Sequence, residues 1–195
     1  MAVTKRAPSP ELPNSAAALD RVIVVGTSGA GKSTYAERLA RRLGHAHTEL
    51  DELHWDRNWQ PKPAPVFREL VERFVAQPYW IADGNYGLVR DLVWPRATTV
   101  VWLNYGLSTI LWRLFWRTVA RMVMRRRLWH GNRESFRMSF LSRQSILVWA
   151  ITTFRRRREQ LTALRSSGVY PHLSWLEFRA PRDAEAYLGS LTARS

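Results

Sequence analysis

The segment of residues 26 to 33 constrains this chain more than any other feature. It reads Gly-Thr-Ser-Gly-Ala-Gly-Lys-Ser and fits the pattern G-x-x-x-x-G-K-[ST]. The apolar run Val22 to Val25 comes directly before it, and a helix-compatible stretch follows. A buried strand, a glycine-rich turn and a helix in this order predict an α/β fold in which the turn binds a phosphate group.

Each fixed position of this segment, called here the phosphate-binding loop, has a chemical reason. The glycines allow the backbone to turn its N–H groups toward a phosphate, and the positive end of the following helix adds to the attraction. We expect Lys32 to reach the β- and γ-phosphates of a nucleotide, and the Ser33 hydroxyl to ligate Mg²⁺. A glycine-rich turn that contains a lysine by chance is the alternative. The predicted cofactor-binding residues are Gly26, Thr27, Ser28, Gly29, Ala30, Gly31, Lys32, Ser33 and Thr34.

Apolar strands alternate with amphipathic helices along the rest of the chain. This order predicts a parallel sheet covered by helices on both faces, that is, a three-layer α/β sandwich with five strands and an arginine-rich helical lid. We expect a flexible tail over residues 1–20 and one domain over residues 21–195, with the lid inserted over residues 118–165. The predicted strands are 21–25, 46–50, 79–82, 98–103 and 173–178, and the predicted helices are 32–43, 66–77, 107–128, two pieces within 133–166, and 182–191.

The net charge of +14 is concentrated in one part of the chain. Residues 113–165 contain fourteen Arg against only Glu134 and Glu159, a local net charge of +12, whereas the remainder is nearly balanced. Such a block attracts polyanions, and the candidates are nucleotide phosphates, nucleic acid and an anionic membrane surface.

Composition excludes several other classes of site. The chain has no cysteine, which rules out disulfides and thiolate metal sites, and its five histidines lack zinc-ligand spacing. The uncharged run over residues 97–112 is too short and too broken for a spanning helix, so we predict no transmembrane segment. Residues 1–20 lack the apolar core of a signal peptide, and a cytoplasmic location is therefore expected.

Acidic residues follow two of the predicted strands. Asp83 follows the strand 79–82, and we expect it to hold Mg²⁺ directly or through water; an Asp-Gly turn is the alternative. Asp51 follows the strand 46–50 and is expected to bind an acceptor hydroxyl or to act as its base, with a helix cap or turn as the alternative. Because ligands collect beyond the carboxyl ends of parallel strands, both carboxylates should lie on the same sheet edge as Gly26 and Asn104.

Arginines recur every four residues from Arg113 through Arg117 and Arg121 to Arg125, which predicts a stripe along one helix. Guanidinium groups in such a row repel one another and suit bidentate phosphate contacts; a solvated helix face is the alternative. The run 155–158 is either part of a closing flap or a basic helix surface. The apolar face of the first helix is expected to consist of Ile110, Leu111, Leu114, Phe115 and Met122.

A proline-punctuated loop carries Arg57 between Trp55 and Trp59. Aromatic rings exposed on this loop could stack on a base while Arg57 meets a phosphate. Packing in the core is the commoner fate of tryptophan, so both interpretations stay open.

The phosphate-binding loop, the segments 50–55 and 80–86, and the pair Arg113 and Arg117 together resemble the adenylate-kinase-like P-loop proteins. Within these the chain is most similar to the group often labelled DNA topology modulation or FlaR-type proteins, chiefly through Asp83-Gly84-Asn85-Tyr86. The resemblance covers residues 20–190. It implies a five-stranded parallel sheet, an acceptor-binding segment after the second strand, an arginine-bearing lid, and ATP with Mg²⁺ as cofactors.

The same resemblance implies roles for individual arginines. Arg113 and Arg117 match the R-x-x-x-R pair that frames the ATP phosphates and the lid. Asn85-Tyr86 stands where nucleoside monophosphate kinases usually continue with Phe-Pro-Arg, so Arg90 is a candidate replacement for the missing acceptor-phosphate contact. With the lid arginines included, the candidate substrate-binding residues are Asp51, Arg57, Arg90, Arg133 and Arg137.

Two functions follow from these patterns. The first is ATP- and Mg²⁺-dependent phosphoryl transfer to a small hydroxyl- or phosphate-bearing acceptor, with lid closure excluding water. The second is ATP-dependent binding of nucleic acid, with tryptophans such as Trp112 and Trp116 interleaved in the basic block. The absence of a groove-reading motif in the sequence favours the kinase. Its predicted catalytic residues are Lys32, Asp51, Asp83, Arg113 and Arg117, and its predicted metal ligands are Ser33 and Asp83.

Overall fold

The computed structural model describes residues 19–124 and 143–191 of the 195-residue chain. The strands in these ranges are β1 (Arg21–Gly26), β2 (Ala46–Glu49), β3 (Trp80–Asp83), β4 (Thr99–Leu103) and β5 (Ser174–Phe178). The helices are α1 (Lys32–Leu43), α2 (Leu50–His54), α3 (Ala64–Val75), α4 (Arg90–Val93), α5 (Leu107–Met124), α6 (Arg143–Ser166) and α7 (Pro181–Ser190), with short 3₁₀ turns at Arg57–Trp59 and Gly87–Val89. None of the helices in the described ranges is long and apolar enough to cross a membrane.

All five strands run parallel in the order β2-β3-β1-β4-β5. The central strand β1 pairs with β3, where Val24 is registered with Asp83, and with β4, where Gly26 is registered with Leu103. The carboxyl ends of the strands therefore share one edge, from which the phosphate-binding loop leaves the sheet. The predicted α/β class and the five-stranded parallel sheet are confirmed.

Alternation along β1 divides the interior into two layers. Val22 and Val24 pack on the side that is covered by residues of α1 and α7, whereas Ile23 and Val25 pack on the side covered by α3. Every residue of β1 except Arg21 is buried. A near-continuous apolar run is what a strand needs when helices cover both faces of its sheet. Packing on both sides thus anchors the strand from which the phosphate-binding loop extends.

The second strand ends one residue earlier than the sequence predicts. β2 ends at Glu49, and Leu50 begins α2 with its side chain buried. The prediction that Asp51 follows the strand directly is therefore wrong, because Asp51 lies in the first turn of α2. Glu49, which is registered with Asp83, is the acidic residue at the strand end. A short apolar segment fits a strand end or a helix start equally well, so periodicity alone could not separate them.

Other boundaries differ by a few residues. Helix α3 begins two residues early, at Ala64, because Pro63 serves as its N-cap and Pro65 occupies its first turn, where proline is tolerated. The short helices α2 and α4 have no counterpart in the sequence prediction. The predicted end of α5 at residue 128, the lid segment 125–142 and the tail 1–18 lie outside the described residues.

Phe115, a residue of the predicted apolar face of α5, faces solvent. Phe115 is 58% exposed, and its ring centroid lies 5.7 Å from that of Trp116, which is also exposed. Ile110 is buried and Leu114 packs against the core, so this side of α5 faces the protein. Residue 115 lies about 100° further round the helix than residue 114, because an α-helix has about 3.6 residues per turn. That rotation directs Phe115 toward solvent.

Candidate functional site

The phosphate-binding loop turns tightly between β1 and α1. Gly31 caps α1 with left-handed backbone angles (φ 87°, ψ 29°), so the helix begins at Lys32. Inside the loop, the backbone N–H of Ala30 donates to the carbonyl of Thr27 at 3.1 Å. Lys32 Nζ donates to the same carbonyl at 3.3 Å, which folds the ammonium group back toward the loop. A curled backbone, an ammonium group and a helix N-terminus at one place suit a phosphate.

Arg113 of α5 packs directly on this loop. Its Nη1 donates to the carbonyl of Ala30 at 2.9 Å, and its guanidinium carbon lies 5.3 Å from the centre of the Tyr105 ring. Gly31 permits the approach, because a Cβ at that position would lie 2.7 Å from Arg113 Nη1. The fold therefore brings the predicted Arg113 to the loop, although the two are distant in sequence.

Two carboxylates from β2 and β3 contact the first turn of α1, and a histidine of β2 contacts one of them. Ser33 Oγ lies 2.9 Å from Asp83 Oδ1 and 2.9 Å from Glu49 Oε2, so its hydroxyl can donate to either carboxylate. His47 Nε2 lies 2.9 Å from Asp83 Oδ2. Ser33, His47, Glu49 and Asp83 are called here the strand-end cluster. Two of its members, Ser33 and Asp83, are predicted metal ligands, and the structure brings them together.

The register of β2 and β3 explains how the cluster forms. Glu49 is registered with Asp83, and His47 with Ile81. Side chains two residues apart on a strand share a face, so His47, Glu49 and Asp83 all lie on the side that α1 covers. Sequence reasoning missed Glu49 and His47. The available signal was a strand ending at residue 49, which would have placed an acidic residue opposite Asp83.

The two carboxylates of the strand-end cluster lie close together, because both are 2.9 Å from Ser33 Oγ. Burial, and after it the charge of Asp83, raise the pKa of Glu49, while the Ser33 hydroxyl and His47 act in the opposite direction. Asp83 itself is 2% exposed. Neighbouring carboxylates of this kind favour a cation between them, because a cation relieves their mutual repulsion.

The oxygens of Ser33 and Asp83 suit Mg²⁺ at a phosphate site, which needs few protein ligands. Across residues 19–124 and 143–191, no group of three or more His, Asp and Glu side chains has the arrangement of a metal-ion site. Mg²⁺ at a phosphate site does not require one, because it takes one or two protein oxygens and completes its octahedron with water and phosphate oxygens. Ser33 Oγ and Asp83 Oδ1 are adjacent oxygens of the kind that Mg²⁺ prefers.

A second group of side chains lies beyond the ends of β2 and β3. The hydroxyl of Tyr86 donates to Asp51 Oδ1. The ring of His54 lies 4.7 Å from that of Trp55, 4.9 Å from that of Phe67 and 4.8 Å from that of Tyr86, measured between centroids. These five residues are called here the tyrosine cluster. It places the predicted Asp51 carboxylate beside an aromatic wall.

Burial sets the protonation states in the tyrosine cluster. It raises the pKa of the Tyr86 hydroxyl, and the hydrogen bond to Asp51 acts in the same direction, so Tyr86 remains a donor. Burial also lowers the pKa of His54, which favours its neutral form. The cluster thus combines a neutral imidazole with a phenol that keeps its hydrogen.

Two arginines approach Asn85, the residue before Tyr86. Arg90 Nη2 donates to Asn85 Oδ1 at 3.3 Å, and the guanidinium carbon lies 5.9 Å from the Trp94 ring centre. The Nε of Arg90 is buried without a hydrogen-bond partner among the described residues. From α6, Arg157 Nη1 donates to the backbone carbonyl of Asn85 at 3.2 Å. Arg157, one of the four arginines at 155–158, therefore reaches the site. The sequence pattern did not distinguish it from the other three.

Of the remaining predicted arginines, Arg57 has a described side chain. Arg57 is exposed on the 3₁₀ turn after α2, and the rings of Trp55 and Trp59 beside it meet edge to face at 6.0 Å. The side chain of Arg117 lies outside the part of the structure that is described, as do Arg133 and Arg137 entirely.

No family model matches this chain. In sequence it is similar to a shikimate kinase of Sulfurihydrogenibium sp. (strain YO3AOP1), with 29% identity over 111 residues that cover 49% of this chain and 67% of that protein. It is also similar to the uncharacterized protein YqaC of Bacillus subtilis (strain 168), with 33% identity over 63 residues that cover 31% of this chain and 35% of YqaC.

Among solved structures, the fold is similar to that of a shikimate kinase from Bacteroides thetaiotaomicron. The TM-score is 0.52 and the sequence identity 13%, and the match covers 88% of this chain and 95% of that one. At this level of identity the likeness concerns the fold, which is that of P-loop kinases.

Proposed function

We propose that this protein is an ATP- and Mg²⁺-dependent phosphotransferase that moves the γ-phosphoryl group of ATP to a small acceptor. The observation that carries the proposal is the convergence at Ser33, which ends the phosphate-binding loop and lies 2.9 Å from both Asp83 and Glu49. A phosphate cradle next to oxygen ligands for Mg²⁺ is the arrangement that transfer from a nucleotide requires.

On the donor side, the contacts of the phosphate-binding loop support the following roles. The loop amides and Lys32 bind the β- and γ-phosphates, and Ser33 with Asp83 holds Mg²⁺ directly or through water. Arg113, already fixed against the loop, neutralises charge that develops during transfer. Arg117, four positions further along α5, is proposed to act on the same phosphates. When held by Ser33 and Asp83, Mg²⁺ would supply positive charge that withdraws electron density from the transferred phosphate.

On the acceptor side, Asp51 orients the acceptor hydroxyl or accepts its proton, and Tyr86 fixes the carboxylate. Arg90 and Arg157 place two positive charges next to Asn85, which suits an acceptor with an anionic group. Arg57, Arg133 and Arg137 are further candidate contacts with acceptor or lid-bound phosphates, and movement of the lid excludes water before transfer.

The comparisons support a kinase without identifying its acceptor. The name of the curated relative, shikimate kinase, supports a hydroxyl-bearing acceptor here. Within P-loop kinases we place the chain among the adenylate-kinase-like proteins, nearest the DNA topology modulation or FlaR-type group, on the basis of the segment 83–86. Dependence on ATP also agrees with the expected cytoplasmic location.

The test is an acceptor screen with γ-labelled ATP and Mg²⁺, using nucleosides, nucleotides, hydroxy acids and polyols. We expect label transfer to at least one class, and Lys32→Ala should lower kcat by about 10²- to 10³-fold because it removes a charge aimed at the transferred group. Arg41→Ala is the control, since Arg41 is exposed on α1 and pairs with Glu37. Undiminished turnover in Lys32→Ala, or failure of the folded wild type to bind Mg-ATP by calorimetry, contradicts the proposal.

A second candidate function is ATP-dependent binding of single-stranded nucleic acid. It is favoured by Trp112 and Trp116, which are 63% and 50% exposed on α5, with ring centroids 5.5 Å apart, within the block of net charge +12. Exposed aromatic rings among arginines suit stacking on unpaired bases. Oligonucleotide affinity that falls by orders of magnitude from low to moderate salt, and that weakens in Trp112→Ala, supports this function. No binding at low salt contradicts it.

A further inference from the structure

His47 is a polar residue inside the candidate site that has no role in the function proposed above. Its side chain is 18% exposed, and its Nε2 lies 2.9 Å from Asp83 Oδ2. The other carboxylate oxygen, Asp83 Oδ1, faces the Ser33 hydroxyl at 2.9 Å. One carboxylate therefore connects an imidazole on one oxygen with the last residue of the phosphate-binding loop on the other.

The burial of Asp83 makes both contacts important. A carboxylate that is 2% exposed has little access to water, so its oxygens need donors from the protein. Rotation about the Cβ–Cγ bond of Asp83 would tilt both oxygens together. A donor fixed on Oδ2 therefore sets the plane of the carboxylate, and with it the direction of Oδ1.

The position of His47 is itself set by the sheet. His47 lies within β2, registered with Ile81 of β3, so its backbone belongs to a hydrogen-bonded ladder and not to a loop. The side chain is 36 positions from Asp83 in sequence, yet the ladder places it on the same face of the sheet. Because Asp83 is an acceptor when ionised, Nε2 is assigned as the nitrogen that carries the hydrogen.

We propose that His47 is a positioning residue for the metal–nucleotide site: its Nε2–H holds the Asp83 carboxylate so that Oδ1 stays directed at Ser33, where the Mg²⁺ of the nucleotide binds. The inference rests on the proposed function, because it concerns the same metal site. Partners that orient a metal-binding carboxylate in this way typically change metal affinity or activity by about 10- to 100-fold when they are removed.

The experiment is calorimetry of the purified full chain with a non-hydrolysable ATP analogue, once with Mg²⁺ and once with EDTA. His47→Leu removes the donor, whereas His47→Gln keeps an amide N–H that can reach the place of Nε2. The control is His45→Leu; His45 precedes β2 and packs on Tyr79, with ring centroids 5.3 Å apart. We expect His47→Leu to weaken binding with Mg²⁺ by about 10- to 100-fold and to leave binding in EDTA unchanged. His47→Gln should retain most of the Mg²⁺-dependent affinity, and His45→Leu all of it.

A folding defect in His47→Leu is recognised from its thermal unfolding, and His47→Asn then takes its place. The shorter Asn amide falls short of Asp83 Oδ2, so His47→Asn should lose the Mg²⁺-dependent gain that His47→Gln keeps. When Asp83 is also replaced by Asn, the carboxylate that His47 holds is gone. Neither His47→Leu nor His47→Asn should then lower the Mg²⁺-dependent affinity for the ATP analogue any further.

The outcomes separate this inference from the function on which it rests. Equal Mg²⁺-dependent affinity in wild type and His47→Leu overturns the inference and leaves the proposed function standing. Equal losses with Mg²⁺ and with EDTA also overturn it, since they show a general structural role. A wild-type protein that gains no affinity from Mg²⁺ overturns both.

Discussion

The phosphate-binding loop and the tyrosine cluster form the two halves of the candidate site by different means. The loop is one continuous segment, residues 26–33, whose shape comes from main-chain geometry such as the left-handed cap at Gly31. The tyrosine cluster is assembled from side chains, and its central hydrogen bond joins Tyr86 to Asp51 across 35 positions of sequence. The first depends on local conformation, and the second on how α2 and α3 pack against the segment after β3.

Because the two halves are built differently, they should respond separately to substitution. A backbone site binds what all nucleotides share, because amides and a helix N-terminus contact phosphates and not a particular acceptor. A side-chain site can vary its acceptor while the donor half stays the same. Changes in the loop should therefore alter ATP binding, and changes in the tyrosine cluster should alter use of the acceptor alone.

Asp51→Asn should have the largest effect on the acceptor half. It replaces a carboxylate that can accept a proton with an amide that cannot, at nearly the same volume. We expect kcat with the acceptor found in the screen to fall by about 10²- to 10⁴-fold, the range of general base catalysis, while calorimetry shows unchanged Mg-ATP affinity. The control is Glu52→Gln, which makes the same chemical change at the exposed next residue. Loss of ATP affinity equal to the loss of turnover would break the division into two halves.

Gly31→Ala should have the next largest effect, and it tests the donor half. An alanine there must adopt a left-handed conformation at a cost of about 1–2 kcal/mol, and its Cβ would lie 2.7 Å from Arg113 Nη1. We expect lower stability in urea unfolding together with weaker binding of Mg-ATP.

Gly44→Ala is the matched control for Gly31→Ala. Gly44 caps the other end of α1 with φ 70°, and a Cβ there would meet nothing within 4 Å. It should lose similar stability through the backbone alone and keep its full affinity for ATP. Equal ATP affinity in the two variants would mean that the close approach of Arg113 to the backbone at residue 31 has no part in nucleotide binding.

The parts of the fold that the sequence predicted are those with local or periodic signals. The loop pattern, the apolar run of β1 and the alternation of strands with helices required no knowledge of contacts between distant residues. Asp83 was found for the same reason, because an acidic residue directly follows an apolar strand. The five-stranded parallel sheet then followed from the fold class, and it agrees with the structure.

The parts that sequence reasoning missed depend on boundaries and register. The sequence prediction ended β2 at residue 50 and gave no role to Glu49, which is the acidic residue registered with Asp83. His47 had no motif of its own, and only its strand register relates it to Asp83. Arg157 was one of four consecutive arginines, and only the packing of α6 distinguishes the one that contacts Asn85. Phe115 was assigned to the core because an apolar residue on a helix says little about which neighbours cover it.

Tyr86→Phe should have the smallest effect of these substitutions, and it tests whether the tyrosine cluster acts independently of the phosphate-binding loop. The change removes the hydroxyl that donates to Asp51 and keeps the ring that packs on His54 and Phe67. Water can replace the lost donor at the partly exposed Asp51, so we expect a cost of about 0.5–1.5 kcal/mol, seen as a severalfold lower kcat/KM for the acceptor. The control is Tyr79→Phe, which removes the hydroxyl of an exposed tyrosine outside the tyrosine cluster. Because the hydroxyl lies in the side-chain half, ATP affinity should not change; an equal decrease for both substrates would show that the tyrosine cluster also shapes the nucleotide site.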